Sequence, residues 1–182
     1  MSLTLDQLQE SIPNYGKDLK LNLSSVLRQS ELTPQQTWGA AVASAYGSRN
    51  QLLYESILKE AAKHLSPEVL DGAKAAAALM GMNNIYYRFQ HLAEHEEYST
   101  IPARLRMNVM RTHGVDPIDF ELWSLAVSAV NGCGKCIVAH ERQVREKGVS
   151  KEAIVAIVRI ASVIHAVAAL FDVERVGVPV PA

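Results

Sequence analysis

Two cysteines and a histidine stand close together in the second half of the chain. The stretch 131–141 reads NGCGKCIVAHE, so Cys133, Cys136 and His140 follow one another at helical spacing. On an α-helix, residues three and four positions apart share one face. Two cysteines at a helix start can close a disulfide, and the helix dipole and the charge of Lys135 should lower the pKa of a thiol there. Because a histidine can hydrogen-bond a thiol or pass a proton, the stretch predicts a reactive dithiol.

Other interpretations of the same residues exist. The cysteines could be small buried hydrophobic residues, although CxxC spacing in a chain with no other cysteine disfavours this. Alternatively, Cys133, Cys136 and His140 could bind zinc, with His113 or His165 as a fourth ligand from elsewhere in the fold. A thioredoxin-type CxxC needs a βαβ context, which the sequence lacks. A redox CxxC on a helical scaffold is favoured, and the zinc site stays open.

Glu121, in the preceding helix, is the next candidate. Its segment, FELWSLAVSAV, is apolar except for Glu121, Ser124 and Ser128, which form one polar stripe at helical spacing. The pattern alone favours a solvated stripe. The functional alternative is a carboxylate near the thiols that accepts a proton. His165 lies in an apolar segment, which favours a core histidine over a ligand.

The elements that must position these residues are helices. Runs of alternating β-branched residues are missing, whereas Thr33-Pro34, Ser66-Pro67 and Asp116-Pro117 each combine a capping residue with a proline at the first helical position. We therefore predict an all-α fold, an irregular segment over 94–116 and an extended tail over 172–182. The predicted helices lie near 3–11, 17–29, 33–47, 49–64, 67–79, 82–93, 117–130, 134–147 and 150–171.

An internal repeat is also visible. Trp38 to Gly47 (WGAAVASAYG) matches Trp123 to Gly132 (WSLAVSAVNG) at a constant offset, which suggests a duplicated helical unit. The CxxC falls at a helix start in the second copy only. The predicted organisation is a single domain, 1–182, with N-terminal helices in 1–32, a first repeat without cysteines in 33–93 and a second repeat with the CxxC in 117–171.

Composition excludes several classes of protein. The 182 residues include 18 Lys and Arg against 19 Asp and Glu, so the basic excess of a nucleic-acid or anionic-membrane binder is absent. The apolar run 160–171 is shorter than the ~20 residues of a membrane span, and the N-terminus lacks a secretory signal pattern. With only two cysteines, close together, we expect a cytoplasmic protein.

The spacing of Glu121, Cys133, Cys136 and His140 resembles the motif of the alkyl hydroperoxide reductase AhpD family, within the wider carboxymuconolactone decarboxylase-like superfamily. The resemblance covers most of the chain. It is carried by four segments: FELWSLAVSAVNGC, CIVAHE, LKLNLSSVL and MGMNNIYYR. It implies an all-α, AhpD-like helical bundle built from a duplicated unit, usually as a homotrimer.

The resemblance also implies roles for residues. It implies a peroxidase that reduces organic hydroperoxides, with Cys136 as the attacking thiolate, Cys133 as the resolving cysteine, and Glu121 and His140 as a proton relay. Some members carry a histidine where this sequence has Lys135. A relay role at that position is therefore not implied, although a cation there could stabilise a thiolate.

The implied reductant comes from a partner. No cofactor is expected to be permanently bound; dihydrolipoamide on a dihydrolipoyl acyltransferase would reduce the disulfide, with dihydrolipoamide dehydrogenase upstream. The family also passes electrons to the peroxiredoxin AhpC. Two functions of other classes stay open: an electron-transfer adaptor for an AhpC-type disulfide, and a zinc-binding structural or interaction module.

Overall fold

Ten α-helices and one short 3-10 helix make up most of residues 3–176, the part of the chain that the computed structural model describes. This part contains no β-strand, which confirms the predicted all-α class. The helices are α1 (Leu5–Glu10), the 3-10 helix (Asn14–Gly16), α2 (Lys17–Val26), α3 (Pro34–Ser48), α4 (Gln51–Ala61), α5 (Pro67–Leu92), α6 (Glu97–Thr100), α7 (Val109–Thr112), α8 (Pro117–Val130), α9 (Gly134–Glu146) and α10 (Lys151–Val176).

Local capping explains where the long helices begin. Thr33 and Gln36 form a reciprocal capping box at the start of α3, with each side chain bonded to the other residue's backbone N–H. The Ser66 side chain caps α5, and that of Asp116 accepts hydrogen bonds from two backbone N–H groups of α8. A proline follows each cap, as predicted, because its missing N–H costs nothing at that position.

Helix α5 is continuous, although two helices over 67–79 and 82–93 were predicted. The gap between the two predicted helices falls on Met80 and Gly81. Gly81 lies on the exposed face with open space around the position of a Cβ, whereas the Met80 side chain is fully buried. Tertiary packing around Met80 thus offsets the propensity cost of one glycine, which is about 1 kcal/mol.

The C-terminal prediction was also partly wrong. Helix α10 extends to Val176, so residues 172–176 are helical and not extended. The rest of the predicted tail, 177–182, lies outside the described residues. The segment 94–116 is irregular, as predicted, and contains only the one-turn helices α6 and α7.

The core lies around α10, which packs against α2, α3 and α8. Over Lys151–Glu174, α10 is long and apolar enough to cross a membrane, but half of its most apolar stretch is buried inside the fold. Fully buried Ile157, Ile160 and Ile164 belong to it, and Trp123 of α8 is fully buried in the same core. We therefore interpret α10 as a core helix.

The two halves of the fold have matching architecture. Helices α3, α4 and α5 contain 15, 11 and 26 residues, and α8, α9 and α10 contain 14, 13 and 26. Helices α3 and α8 pack against each other, and each also contacts both α5 and α10. Their approach is close, because a Cβ at Gly39 would overlap the indole of Trp123. A duplicated unit over 33–93 and 117–171 would produce this arrangement, and the duplication stays a prediction.

Candidate active site

Cys133 is the N-cap residue of α9. Helix α8 ends at Val130, and Gly132 then adopts a left-handed conformation with φ of 65°, which glycine tolerates without strain. The turn is closed by a hydrogen bond of 3.1 Å from the Cys133 N–H to the carbonyl of Ser128. The Cys133 sulfur accepts a hydrogen bond from the backbone N–H of Cys136, at 3.4 Å. The Asn-Gly turn thus places both cysteines at the start of a helix, as predicted.

The two sulfur atoms lie 2.6 Å apart, and both cysteines are free. A disulfide requires a separation of about 2.05 Å, so a shift of roughly half an ångström would allow the bond to form. Cys133 is fully buried and Cys136 is 5% exposed. At the equivalent N-cap of α4 in the first half stands Asn50, whose side chain accepts from a backbone N–H in the same way. Only the second half therefore carries thiols at this position.

Burial raises the pKa of the Cys136 thiol to about 12, and the hydrogen bond with Cys133 acts in the same direction. The nearby amide of Asn84 and the charge of Lys135 lower the pKa, but by less. The predicted depression of the thiol pKa is therefore wrong for Cys136. The reason is that burial, which penalises the thiolate, outweighs the nearby positive charge.

The polar contacts of Lys135 are made with side chains of α5. Its Nζ donates a hydrogen bond to Oε1 of Gln90 at 3.0 Å and lies 5.7 Å from the centre of the Tyr87 ring. The positive charge of Lys135 acts to lower the pKa of Cys136, as predicted, although burial outweighs it. A role as thiolate stabiliser stays a prediction.

Glu121 and His140 form a pair across α8 and α9, with 2.6 Å between Glu121 Oε2 and His140 Nδ1. The side chains are 19% and 9% exposed, respectively. Ser124 and Ser128, which share the Glu121 face of α8, are fully buried. The solvated-stripe interpretation is therefore wrong, because this face packs inside the protein and Ser128 Oγ accepts a hydrogen bond from Asn84.

A cavity of about 210 Å³ borders Cys136 and His140. Three methionines line it: Met80 from α5, and Met107 and Met110 from the irregular segment that contains α7. The Nε2 atom of His140 lies 3.3 Å from the sulfur of Met80. The cavity is thus mainly apolar, and it could hold a small organic molecule against the Cys136 sulfur.

Two asparagines of α5 belong to the site and were not singled out from the sequence. Asn84 donates to Ser128 Oγ at 3.0 Å and accepts from Asn131 at 2.9 Å. The carbonyl of Asn83 accepts a hydrogen bond from the Cys136 thiol at 3.9 Å, and Asn83 is one of the residues that line the cavity. Two consecutive asparagines inside a helix are unfavourable by propensity, which is the signal that could have drawn attention to them.

A second, more open cleft of about 570 Å³ lies beside the first turn of α9. Its lining includes His91 and His95 together with Gly134 and Val138 of α9. Lys135 borders both this cleft and the methionine-lined cavity. The start of α9 is therefore approachable from two sides.

The candidate zinc ligands do not come together. His113 stacks on Phe120 and accepts a hydrogen bond from the backbone of Val115. His165 is exposed on α10 near Ser48, so its interpretation as a core histidine is wrong. Within residues 3–176, no three His, Cys, Asp or Glu side chains are arranged to hold a metal ion. The structure therefore offers no support for the zinc alternative.

Comparison with known proteins identifies relatives over nearly the whole chain. Residues 96–177 match the carboxymuconolactone decarboxylase family. The chain is 58% identical to the alkyl hydroperoxide reductase AhpD of Acidobacterium capsulatum over 178 residues, which cover 97% of each protein. It is 62% identical to the protein of the same name from Solibacter usitatus, over 94% of this chain and 97% of that one. The corresponding protein from Koribacter versatilis is 54% identical, over 98% and 95% of the two chains.

Proposed function

Since the chain belongs to the alkyl hydroperoxide reductase AhpD family, we propose that it reduces organic hydroperoxides at Cys133 and Cys136. The observation that carries the proposal is the position of these thiols. Their sulfur atoms lie 2.6 Å apart at the start of α9, and Cys136 borders an apolar cavity together with His140. Such a dithiol can be oxidised to a disulfide without rearrangement of the helix.

The two cysteines have different roles in this proposal. Cys136 lines the cavity, whereas Cys133 is fully buried behind it. A hydroperoxide in the cavity therefore meets Cys136, whose thiolate attacks the outer oxygen and becomes a sulfenic acid as the alcohol leaves. The thiol of Cys133 then condenses with the sulfenic acid, which gives the disulfide and water.

Proton transfer falls to His140 and Glu121. Because burial raises the pKa of Cys136 to about 12, the thiol is protonated at neutral pH and needs a base. His140 borders the same cavity and is held by Glu121 through its Nδ1. Its Nε2 would accept the thiol proton, directly or through a water molecule, and Glu121 would stabilise the imidazolium that forms.

Reduction of the disulfide completes the cycle. We propose dihydrolipoamide, carried by a dihydrolipoyl acyltransferase and supplied by dihydrolipoamide dehydrogenase, because a dithiol reopens a disulfide by thiol–disulfide exchange. We place the docking of the lipoyl arm at the cleft beside Gly134 and Lys135, because this cleft borders the first turn of α9. No permanently bound cofactor takes part in this scheme, and a reducing cytoplasm would keep the dithiol ready.

The same cleft makes a second candidate function testable. If a peroxiredoxin of the AhpC type docks there, the protein would act mainly as an electron-transfer adaptor that reduces the disulfide of its partner. Measuring hydroperoxide turnover with and without AhpC separates the two functions. A large increase that requires Cys133 and Cys136 would favour the adaptor.

We also propose that the chain forms the homotrimer that the family resemblance implies, through an exposed apolar strip. Ile85, Phe89 and Leu92 follow one face of α5 and are 53%, 53% and 69% exposed. Exposed large apolar residues that cluster mark interaction surfaces. Sedimentation equilibrium of the wild-type protein and of a Phe89→Glu variant tests this, since the charge should dissociate the trimer.

Counting thiols tests the proposed function directly. We expect two free thiols in the reduced protein, none after one equivalent of cumene hydroperoxide, and two again after dihydrolipoamide. Glutathione at the same thiol concentration serves as the control reductant. Thiols that survive the hydroperoxide would contradict the peroxidase function.

A further inference from the structure

The cavity next to Cys136 is lined by a polar residue that has no role in the reaction described above. Asn83 lines this cavity and is only 4% exposed, and its Oδ1 has no hydrogen-bond partner among residues 3–174, whose side chains the structure describes. Buried amide oxygens are nearly always hydrogen-bonded, since otherwise they lose their bonds to water without replacement. The neighbouring Asn84, also buried, has a partner for its amide nitrogen in Ser128 and for its amide oxygen in Asn131. Asn83 thus stands out as an amide with unused bonding capacity.

The position of this amide matters as much as its missing partner. In the same part of the chain, Ser44 Oγ and Ser124 Oγ are also buried without partners, but neither residue lines the cavity. Asn83 in addition contacts the nucleophile, because its carbonyl accepts the hydrogen bond of the Cys136 thiol. An unsatisfied amide beside a reactive sulfur suits a polar group of the substrate.

We propose that the Asn83 side-chain amide binds the peroxide group of the substrate and stabilises the departing oxygen. The inference rests on the proposed peroxidase function. A hydroperoxide has one O–H donor and two oxygen acceptors, and an amide offers one acceptor and two donors. Because Oδ1 is buried, the amide must first turn toward the cavity. Oδ1 then accepts the O–H of the hydroperoxide, and Nδ2 donates to the oxygen attached to carbon. The methionines of the cavity hold the organic part.

This hydrogen bond strengthens during the reaction. The Cys136 thiolate attacks the outer oxygen, an S–O bond forms, and the O–O bond breaks. The electron pair of the O–O bond moves to the inner oxygen, which leaves as an alkoxide and takes from His140 the proton that the thiol lost. The products are the sulfenic acid and the alcohol. Because negative charge builds on the inner oxygen, the Nδ2 donor stabilises the transition state more than the bound substrate.

The test separates binding of the peroxide from ionisation of the thiol. In an Asn83→Leu variant, which keeps the side-chain shape, we expect the rate constant of Cys136 oxidation by cumene hydroperoxide to fall about 10²-fold, as when a single donor to a developing oxyanion is removed. Alkylation of Cys136 by iodoacetamide should be unchanged, and so should reduction of the disulfide by dihydrolipoamide. Rapid quenching followed by mass spectrometry measures all three rates.

Asn84→Leu is the matched control, because Asn84 lowers the pKa of Cys136. We expect that variant to slow alkylation and peroxide reduction together. An Asn83→Leu protein with the wild-type rate of peroxide reduction would overturn the proposal. So would an equal loss of the peroxide and alkylation rates, because Asn83 would then act on ionisation of the thiol, as Asn84 does. If Asn83→Leu fails to fold, as judged by circular dichroism, Asn83→Ala is measured in the same way. Wild-type thiols that survive cumene hydroperoxide would refute the peroxidase function itself, a different outcome.

Discussion

Replacing Glu121 with glutamine should slow oxidation of Cys136 by a hydroperoxide about 100-fold at neutral pH. The reason is the positive charge that His140 gains during the reaction, which the Glu121 carboxylate stabilises. When His140 accepts the proton of the Cys136 thiol, it becomes an imidazolium that faces the Glu121 carboxylate at 2.6 Å. Glutamine keeps the shape and a hydrogen-bonding oxygen but removes the charge that stabilises the imidazolium.

The magnitude follows from distance and burial. Two unit charges 4 Å apart attract each other by about 4 kcal/mol at an effective dielectric constant of about 20. Because the Glu121 side chain is 19% exposed, solvent weakens the attraction, and we take about 2.7 kcal/mol as the loss, which is about 100-fold in rate.

The assay is a single turnover. Reduced protein is mixed with excess cumene hydroperoxide, quenched with a thiol-alkylating reagent, and the remaining Cys136 thiol is quantified by mass spectrometry. Glu141→Gln is the matched control: it removes the same charge one residue after His140, but Glu141 pairs with Arg145 at the surface. Wild-type kinetics in Glu121→Gln, or an equal loss in Glu141→Gln, would refute the relay.

Three further predictions concern reactivity and stability. Cys136→Ser should abolish hydroperoxide turnover and Cys133→Ser should stop after one, leaving a sulfenic acid that dimedone traps; full activity of either variant sinks the assigned roles. Because burial raises the pKa of Cys136 to about 12, its alkylation by iodoacetamide should accelerate about tenfold per pH unit between pH 7 and 10. A plateau in that range would mean that the pKa of the thiol lies within it, and would refute the raised value. Gly39→Ala should destabilise the fold by about 1–3 kcal/mol because the methyl group overlaps Trp123, whereas Gly81→Ala, in open space, should stabilise it by about 0.5–1 kcal/mol; urea denaturation of both variants checks the sign.

Local chemistry explains which parts of the fold were predictable. The starts of α3, α5 and α8 depend on a capping residue and a proline that are adjacent in sequence, so no tertiary information was needed. The continuity of α5 through Gly81 depends instead on the burial of Met80, and the sequence around the glycine does not reveal it. The exposure of His165 similarly depends on which face of α10 the other helices cover.

The site divides in the same way. Cys133, Cys136 and His140 lie on one helix, so their alignment followed from spacing alone. The contact between Glu121 and His140 joins two helices, and the pattern around Glu121 favoured solvent exposure instead. Asn83 and the methionines reach the cavity from α5 and from the irregular segment, and no local signal places them beside a thiol.

The error in the predicted pKa of Cys136 bears on how the site works. A helix start and a lysine are visible in the sequence, but desolvation is a property of the whole fold, and here it dominates. A pKa of about 12 instead of the ordinary 9.0 lowers the thiolate fraction at neutral pH about 10³-fold. A positioned general base contributes about 10²–10⁴-fold, so the pair formed by His140 and Glu121 can offset a penalty of that size. Burial keeps the resting thiol protonated and therefore a poor nucleophile. The relay restores its reactivity only when a hydroperoxide occupies the cavity, because the departing alkoxide then accepts the proton that the thiol has given to His140.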